Sequence, residues 1–214
     1  MDLSNPIGSV MPSAHGAVLQ VLARTTEPLS GRMVAELASD RFGRRRVNDV
    51  LLELSKAGIV LRDHRPPAYL YRLNRDHVAA GGIILLADMW TTLVQRIRDA
   101  LADWELPALA ACLFGSAARG EATSESDIDV LLVRPDAPDA TPHDLEARWH
   151  GQVDRLTERV QAWSGNACEV LELSVAELRD AYVRQDRLAL DLQRDAIALA
   201  GRDIRTLMRA KAAR

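Results

Sequence analysis

The sequence predicts an α+β chain made of two modules and a helical tail, and three observations carry that reading. Over residues 13–78, three apolar patterns at helical spacing precede two short strand-like runs. Over 83–175, the strand-length apolar runs Ala108 to Phe114, Ile128 to Val133 and Ala167 to Leu173 alternate with helical stretches. Residues 176–214 return to helical periodicity, giving three segments bounded at 13–78, 83–175 and 176–214.

Residues 1–12 carry Pro6, Gly8 and Pro12 without periodicity and read as a loosely packed leader. A first helix then starts near Ser13, with Ala17, Val18, Val21 and Leu22 on one face, and stops before Glu27-Pro28. Ser30 is placed to N-cap a short second helix through Met33, Val34 and Leu37. Phe42-Gly43 turns the chain into a third helix through Val47, Val50, Leu51 and Leu54, which Gly58 ends. Ile59-Val60-Leu61 and Tyr69-Leu70-Tyr71 follow as strands, joined by the polar loop Arg62 to Ala68.

Gly81-Gly82 suits a hinge or a helix start, and Leu86, Met89, Trp90, Leu93, Val94, Ile97 and Leu101 predict one long helix over 83–104. After the Pro- and Asp-containing loop Pro135 to Pro142, the residues Leu145, Trp149, Val153, Leu156 and Val160 predict another. Trp149 and Trp163 read as packing residues rather than nucleotide stackers, and the loop is expected to border the nucleotide. Two tail helices are expected around Leu178 to Tyr182 and Leu188 to Leu199, before a solvated end from Arg209 to Arg214.

Composition narrows the function classes. A hydrophobic content of 48% supports packed cores, and the net charge of −3 divides into +3 over residues 1–80 and −6 over 81–214. No apolar run approaches the roughly eighteen residues that span a bilayer, and the N-terminus lacks the basic start of a signal peptide, so a cytoplasmic location without membrane contact is expected. Cys112 and Cys168 sit among apolar neighbours and read as buried thiols. The histidines His15, His64, His77, His143 and His150 have no H-E-x-x-H spacing, and no nucleophile elbow, P-loop or dinucleotide fingerprint occurs.

Chemistry concentrates between Leu113 and Val133. Gly115-Ser116 ends one apolar run, where backbone N–H groups can cradle phosphate. Asp127 and Asp129 open the next run; on a strand they project together, while Ile128 and Val130 turn away. Two carboxylates so placed suit a divalent cation.

This order, G-S-x-x-R-G and then S-D-x-D, resembles the nucleotidyltransferase superfamily that includes DNA polymerase beta, most closely its minimal bacterial members. The resemblance implies a polymerase beta-like mixed sheet flanked by helices, with Gly115, Ser116 and Arg119 on a nucleoside triphosphate and Mg²⁺, or Mn²⁺ in its place, on Asp127 and Asp129. It also implies a third catalytic carboxylate on a later strand. Glu169 is the first candidate and Glu172 the alternative; they fall on opposite strand faces, so at most one reaches the metal. Arg119 could equally pair with Glu121 or Glu125 at the surface. The implied activity is transfer of a nucleoside monophosphate to an acceptor hydroxyl, and the alternative is a regulator or antitoxin-like protein that senses nucleotide with little or no turnover.

The segment Leu29 to Leu73 resembles the winged helix-turn-helix of bacterial transcriptional regulators. That resemblance implies a third helix in the DNA major groove and a wing between the strands. Arg41, Arg44, Arg45 and Arg46 would meet phosphates or guanine edges, Asn48 a base, and Arg62, His64 and Arg65 would lie in the wing. Protein or RNA docking is the other use of such a module. The partners expected are therefore a nucleoside triphosphate, double-stranded DNA, a protein acceptor or toxin partner, and a second copy of the chain as a homodimer.

Overall fold

The computed structural model describes residues 1–38, 42–135 and 142–209, without the side chains of Pro142 and His143. Arg41, most of the loop expected to border the nucleotide, and the chain end beyond Arg209 lie outside the described residues. The chain divides into two units, one of Asp2 and Ser4–Trp90, the other of Met1, Leu3 and Thr91–Arg214.

In the N-terminal unit the order is α1 (Pro6–Val10), α2 (Ala14–Ala23), β1 (Leu29–Ser30), α3 (Gly31–Leu37), α4 (Arg44–Lys56), β2 (Val60–Arg65), β3 (Ala68–Leu73) and α5 (Ala80–Ala87). The strands form one antiparallel sheet in the order β1-β3-β2. Ser30 caps α3 as its position suggested, its hydroxyl accepting from the Met33 N–H at 3.2 Å. Val47, Val50, Leu51 and Leu54 bury one side of α4 in a core shared with Val18 and Leu22 of α2.

Two expectations change in this unit. The leader is ordered as α1, because Asn5 caps it through the Gly8 N–H and Ile7 inserts into the core. The polar loop Arg62 to Ala68 is mostly strand: β2 and β3 pair from Val60↔Leu73 to Arg65↔Ala68, and Pro66-Pro67 makes the turn. Leu61 to Arg65 are all solvent-exposed on this ribbon, so no alternation of apolar and polar residues announced it.

The single long helix expected over 83–104 is two helices, α5 and α6 (Met89–Ala102), separated at Asp88. They serve different cores. Ile83 and Ala87 pack into the N-terminal core, whereas α6 buries Leu93, Val94, Ile97 and Leu101.

The second unit continues with β4 (Ala110–Phe114), α7 (Gly115–Ala118), β5 (Ile128–Val133), α8 (Pro142–Ser164), β6 (Cys168–Leu173), α9 (Val175–Arg184), α10 (Arg187–Asp195), β7 (Ile197–Gly201) and α11 (Ile204–Arg209). Its sheet runs β6-β5-β4-β7; β5 and β6 are parallel and the other pairs antiparallel, which is the mixed sheet flanked by helices that was expected. The helical stretch expected from Leu188 to Leu199 stops at Asp195, and its last residues become β7 on the free edge of β4. Short apolar runs do not separate helix from strand by periodicity alone, and here the unpaired edge decides. The segment after 175, set apart in sequence as an extension, thus completes the same sheet and its cover.

Strand register sorts the two faces. Ala110, Cys112, Leu131 and Val133 lie under Leu178 of α9, Leu192 of α10, and Ile204, Leu207 and Met208 of α11. The alternate residues Leu113, Ile128, Val130 and Leu132 are equally buried on the opposite face, the side on which Trp149 of α8 reaches Glu172 of β6. Trp149 also packs edge-on against Trp104 at 5.4 Å, a core role as expected.

Both cysteines are buried, and burial pushes each thiol up to about 12. Native protein at pH 8 is therefore expected to resist iodoacetamide at both positions and to react fully in denaturant; rapid native alkylation of either would contradict the packing. An unfolded chain releases these protons near pH 8.5 while the folded one holds them to about 12. Stability therefore falls as pH rises across that window.

Candidate nucleotide site

The site forms where β4 ends and β5 begins. Phe114 pairs with Asp129 across β4 and β5, so the turn into α7 passes directly beside that carboxylate. Gly115 has φ +68, and a β-carbon added there would meet the Asp129 carboxylate. Glycine is thus required twice, for the left-handed backbone and for the close approach.

Asp129 also pairs with Glu169 across the parallel strands β5 and β6, which puts both on the face covered by α9 to α11. Glu172 pairs instead with Leu132 on the opposite face. There it accepts from Arg134 Nε at 2.8 Å and from the Trp149 indole N–H. Its Oε2 is thus taken up by Arg134 and Trp149, whereas Glu169 is exposed and register-paired with Asp129.

Electrostatics agree with the register. The Asp129 carboxyl is held above the ordinary carboxylate range, first by burial, then by the charges of Glu169 and Asp127, with Arg119 opposing. Three like charges with little countercharge favour a cation between them, and an all-oxygen donor set suits a hard ion such as Mg²⁺. Among the described residues, however, no group of three or more His, Cys, Asp or Glu side chains is gathered closely enough to hold a metal. The expected ligand set of Asp127, Asp129 and Glu169 is therefore a neighbourhood rather than a closely gathered cluster among the described residues.

Arg119 caps the C-terminal end of α7 and pairs with Glu121 at 2.7 Å and with Asp195 of α10 at 3.6 Å, not with Glu125. Asp195 is meanwhile gripped by Arg194 at 2.7 Å. Arg119 therefore ties the Gly-Ser turn to α10, a link across residues far apart in sequence.

Asn166, which no motif in the sequence singles out, is only 2% exposed. Its Nδ2 donates to the Thr123 carbonyl at 3.1 Å and the Ser126 carbonyl at 2.8 Å, pinning the loop that delivers Asp127 to the strand. The only sequence signal was the turn Ser164-Gly165-Asn166 before β6. Replacement by alanine leaves two carbonyls without their donor and is expected to cost about 1–3 kcal/mol in urea unfolding. A change near zero would show that the loop holds itself.

On the N-terminal unit, Arg44 and Arg45 are exposed in the first turn of α4 and make no ion pair among the described residues. Arg46 pairs with Glu53 at 3.3 Å, and Glu53 also meets His15 at 2.9 Å. Asn48 is half-buried, and a β-carbon added at Gly31 of α3 would meet its side-chain oxygen. Arg62 lies over the Tyr69 ring at 3.5 Å, His64 is 4.6 Å from the same ring, and Arg65 pairs with Asp63 at 2.8 Å. Arg62, His64 and Arg65, expected in a loop between the strands, stand on β2. No helix among the described residues is long and apolar enough to cross a membrane.

Residues 94–181, from within α6 to within α9 and including the Gly-Ser turn and both aspartates, match the family described as Nucleotidyltransferase domain. A solved structure described as "Crystal structure of the toxin-antitoxin with AMP-PNP" is 18% identical over 54% of this chain and 80% of that one, with a TM-score of 0.34. A likeness that loose carries no functional argument. Comparison with curated proteins gives no match.

Proposed function

We propose that this protein is a nucleotide-binding regulator, in which the nucleotidyltransferase domain takes a nucleoside triphosphate and the N-terminal unit, as a winged helix-turn-helix, takes double-stranded DNA. One observation carries the nucleotide half: Gly115 lies against Asp129, with Asp127 and Glu169 acting on the same carboxylate, inside the matched domain. Gly115 and Ser116 would contact the triphosphate, Asp127 and Asp129 would hold Mg²⁺, and Arg119 would brace the turn through Asp195. Calorimetry with a non-hydrolysable triphosphate should show binding that requires Mg²⁺ and is lost in Asp127→Ala and Asp129→Ala. Binding retained in both variants would sink the assigned site.

The DNA half is supported by Arg44 and Arg45, basic residues in the first turn of α4, where the helix dipole disfavours them unless an anion is near. Replacing both by alanine should weaken DNA binding across sequences and reduce the salt slope by about two. Arg62 and Arg65 on β2 would add backbone contacts. Location in the cytoplasm belongs to the same reading.

Turnover is the second reading, favoured by the register of Glu169 beside Asp129. Here an acceptor hydroxyl attacks the α-phosphorus and pyrophosphate leaves. Bound Mg²⁺ would supply charge neutralisation and activation of the nucleophile. The chain's own part is to hold the polyphosphate at the Gly-Ser turn and to present Glu169 toward the attacking group. Label transfer from an α-labelled triphosphate, lost in Glu169→Gln while nucleotide binding persists, would establish this reading over sensing. Co-purification from the native cell tests for a protein acceptor or toxin partner, and light scattering tests for a homodimer.

A further inference from the structure

We propose that Leu3, in the leader before α1, is a positioning residue for the nucleotide site, strapping down the loop that delivers Asp127 to β5. The inference rests on the reading of Asp127 as a holder of Mg²⁺. It adds a residue far away in sequence that touches neither nucleotide nor metal.

The loop between α7 and β5 lies mostly at the surface. Over 120–126, Ala122 is the one buried residue, with no exposed surface. Its carbonyl accepts from the Leu3 N–H at 3.0 Å, and Leu3 is itself only 2% exposed. A surface loop with so little burial of its own opens easily unless something outside it holds the buried point. Leu3 supplies that hold.

The leader is built to present this residue. The Asp2 carboxylate accepts from the Ser4 N–H at 3.0 Å and the Asn5 N–H at 2.9 Å, while the Asp2 N–H donates to Ser9 Oγ at 2.7 Å. These bonds fix a turn, so docking Leu3 orders little further chain. On the other side of the loop, the Met1 nitrogen donates to Asn166 Oδ1 at 2.6 Å, and Nδ2 of the same amide holds the Thr123 and Ser126 carbonyls. Three carbonyls of the loop are thus gripped from outside it. Met1, Leu3, the loop and Asn166 all belong to the second unit. Release of Ala122 would let the loop move and carry Asp127 away from Asp129, and a cation held by both would be lost.

Hydrogen exchange of the full chain, followed by mass spectrometry, reads the loop directly. The Thr123 N–H donates to Ser126 Oγ and the Ser126 N–H to the Thr123 carbonyl, so both exchange when the loop opens. Leu3→Ala should speed exchange over 119–127 by about tenfold or more while β4 and β5 keep their protection. It should weaken Mg²⁺-dependent binding of a non-hydrolysable triphosphate by a similar factor. Leu3→Met, which keeps the side-chain volume, should restore both, and Leu3→Val, a milder truncation, should fall between. Loop exchange equal to wild type in Leu3→Ala and Leu3→Val would overturn the proposal, as would full triphosphate affinity beside a faster loop. A wild type that binds no triphosphate refutes the nucleotide reading instead, and the exchange comparison, which needs no ligand, still decides whether Leu3 holds the loop.

Discussion

Gly115→Ala is expected to lose nucleotide binding while costing the fold only about 1–2 kcal/mol. The small stability loss comes from the left-handed backbone at φ +68, which a β-carbon disfavours. The large functional loss comes from position, because the added carbon would lie 2.9 Å from Cγ of Asp129 and force that carboxylate to turn away. Gly120→Ala is the matched control: Gly120 has φ +71, but nothing lies within 4 Å of the carbon that would be added. Both variants should lose similar stability in urea, and only Gly115→Ala should lose triphosphate affinity. Equal affinities in the two would mean that the approach of the turn to Asp129 has no bearing on the ligand.

Leu131→Ala is expected to be the more damaging change to stability, about 3–5 kcal/mol, from lost burial and the cavity left behind. Leu131 has no exposed surface and lies on β5 between Cys112 of β4 and Leu171 of β6. It also joins the cluster that includes Leu178 and Leu192, so several elements contribute to one packing site. Against a typical total of about 5–15 kcal/mol, such a loss would bring the domain near unfolding at moderate temperature. Trp104, Trp149 and Trp163 lie in this unit and Trp90 in the other, so tryptophan fluorescence in urea is dominated by it. Leu190→Ala, at a side chain 48% exposed on α10 of the same unit, should change stability by less than about 1 kcal/mol. A Leu131 effect as small as that of Leu190 would show that the sheet repacks.

Some of the fold was legible because local chemistry sufficed. Ser30 caps α3 through an oxygen that only needs the Met33 N–H three residues on. The spacing of Val47, Val50, Leu51 and Leu54 builds the buried side of α4 whatever lies opposite. Other elements depended on partners distant in sequence. Residues 197–201 are strand because β4 offers them an edge, and α5 separates from α6 because their apolar residues enter different cores. The ribbon of β2 has no buried alternation to read, so the hairpin became visible only through its pairing with β3.

For the site, the sequence alone determined the glycine-serine turn, the two aspartates on one face, and the opposition of Glu169 to Glu172, because a strand's twofold alternation is a local property. Which of those glutamates stands beside Asp129, the bond of Arg119 to Asp195, and the hold of Asn166 on the loop before Asp127 were decided by the tertiary structure. Each joins residues from separate elements, and the order of strands in a sheet follows from how the elements share a core rather than from the spacing within any one of them.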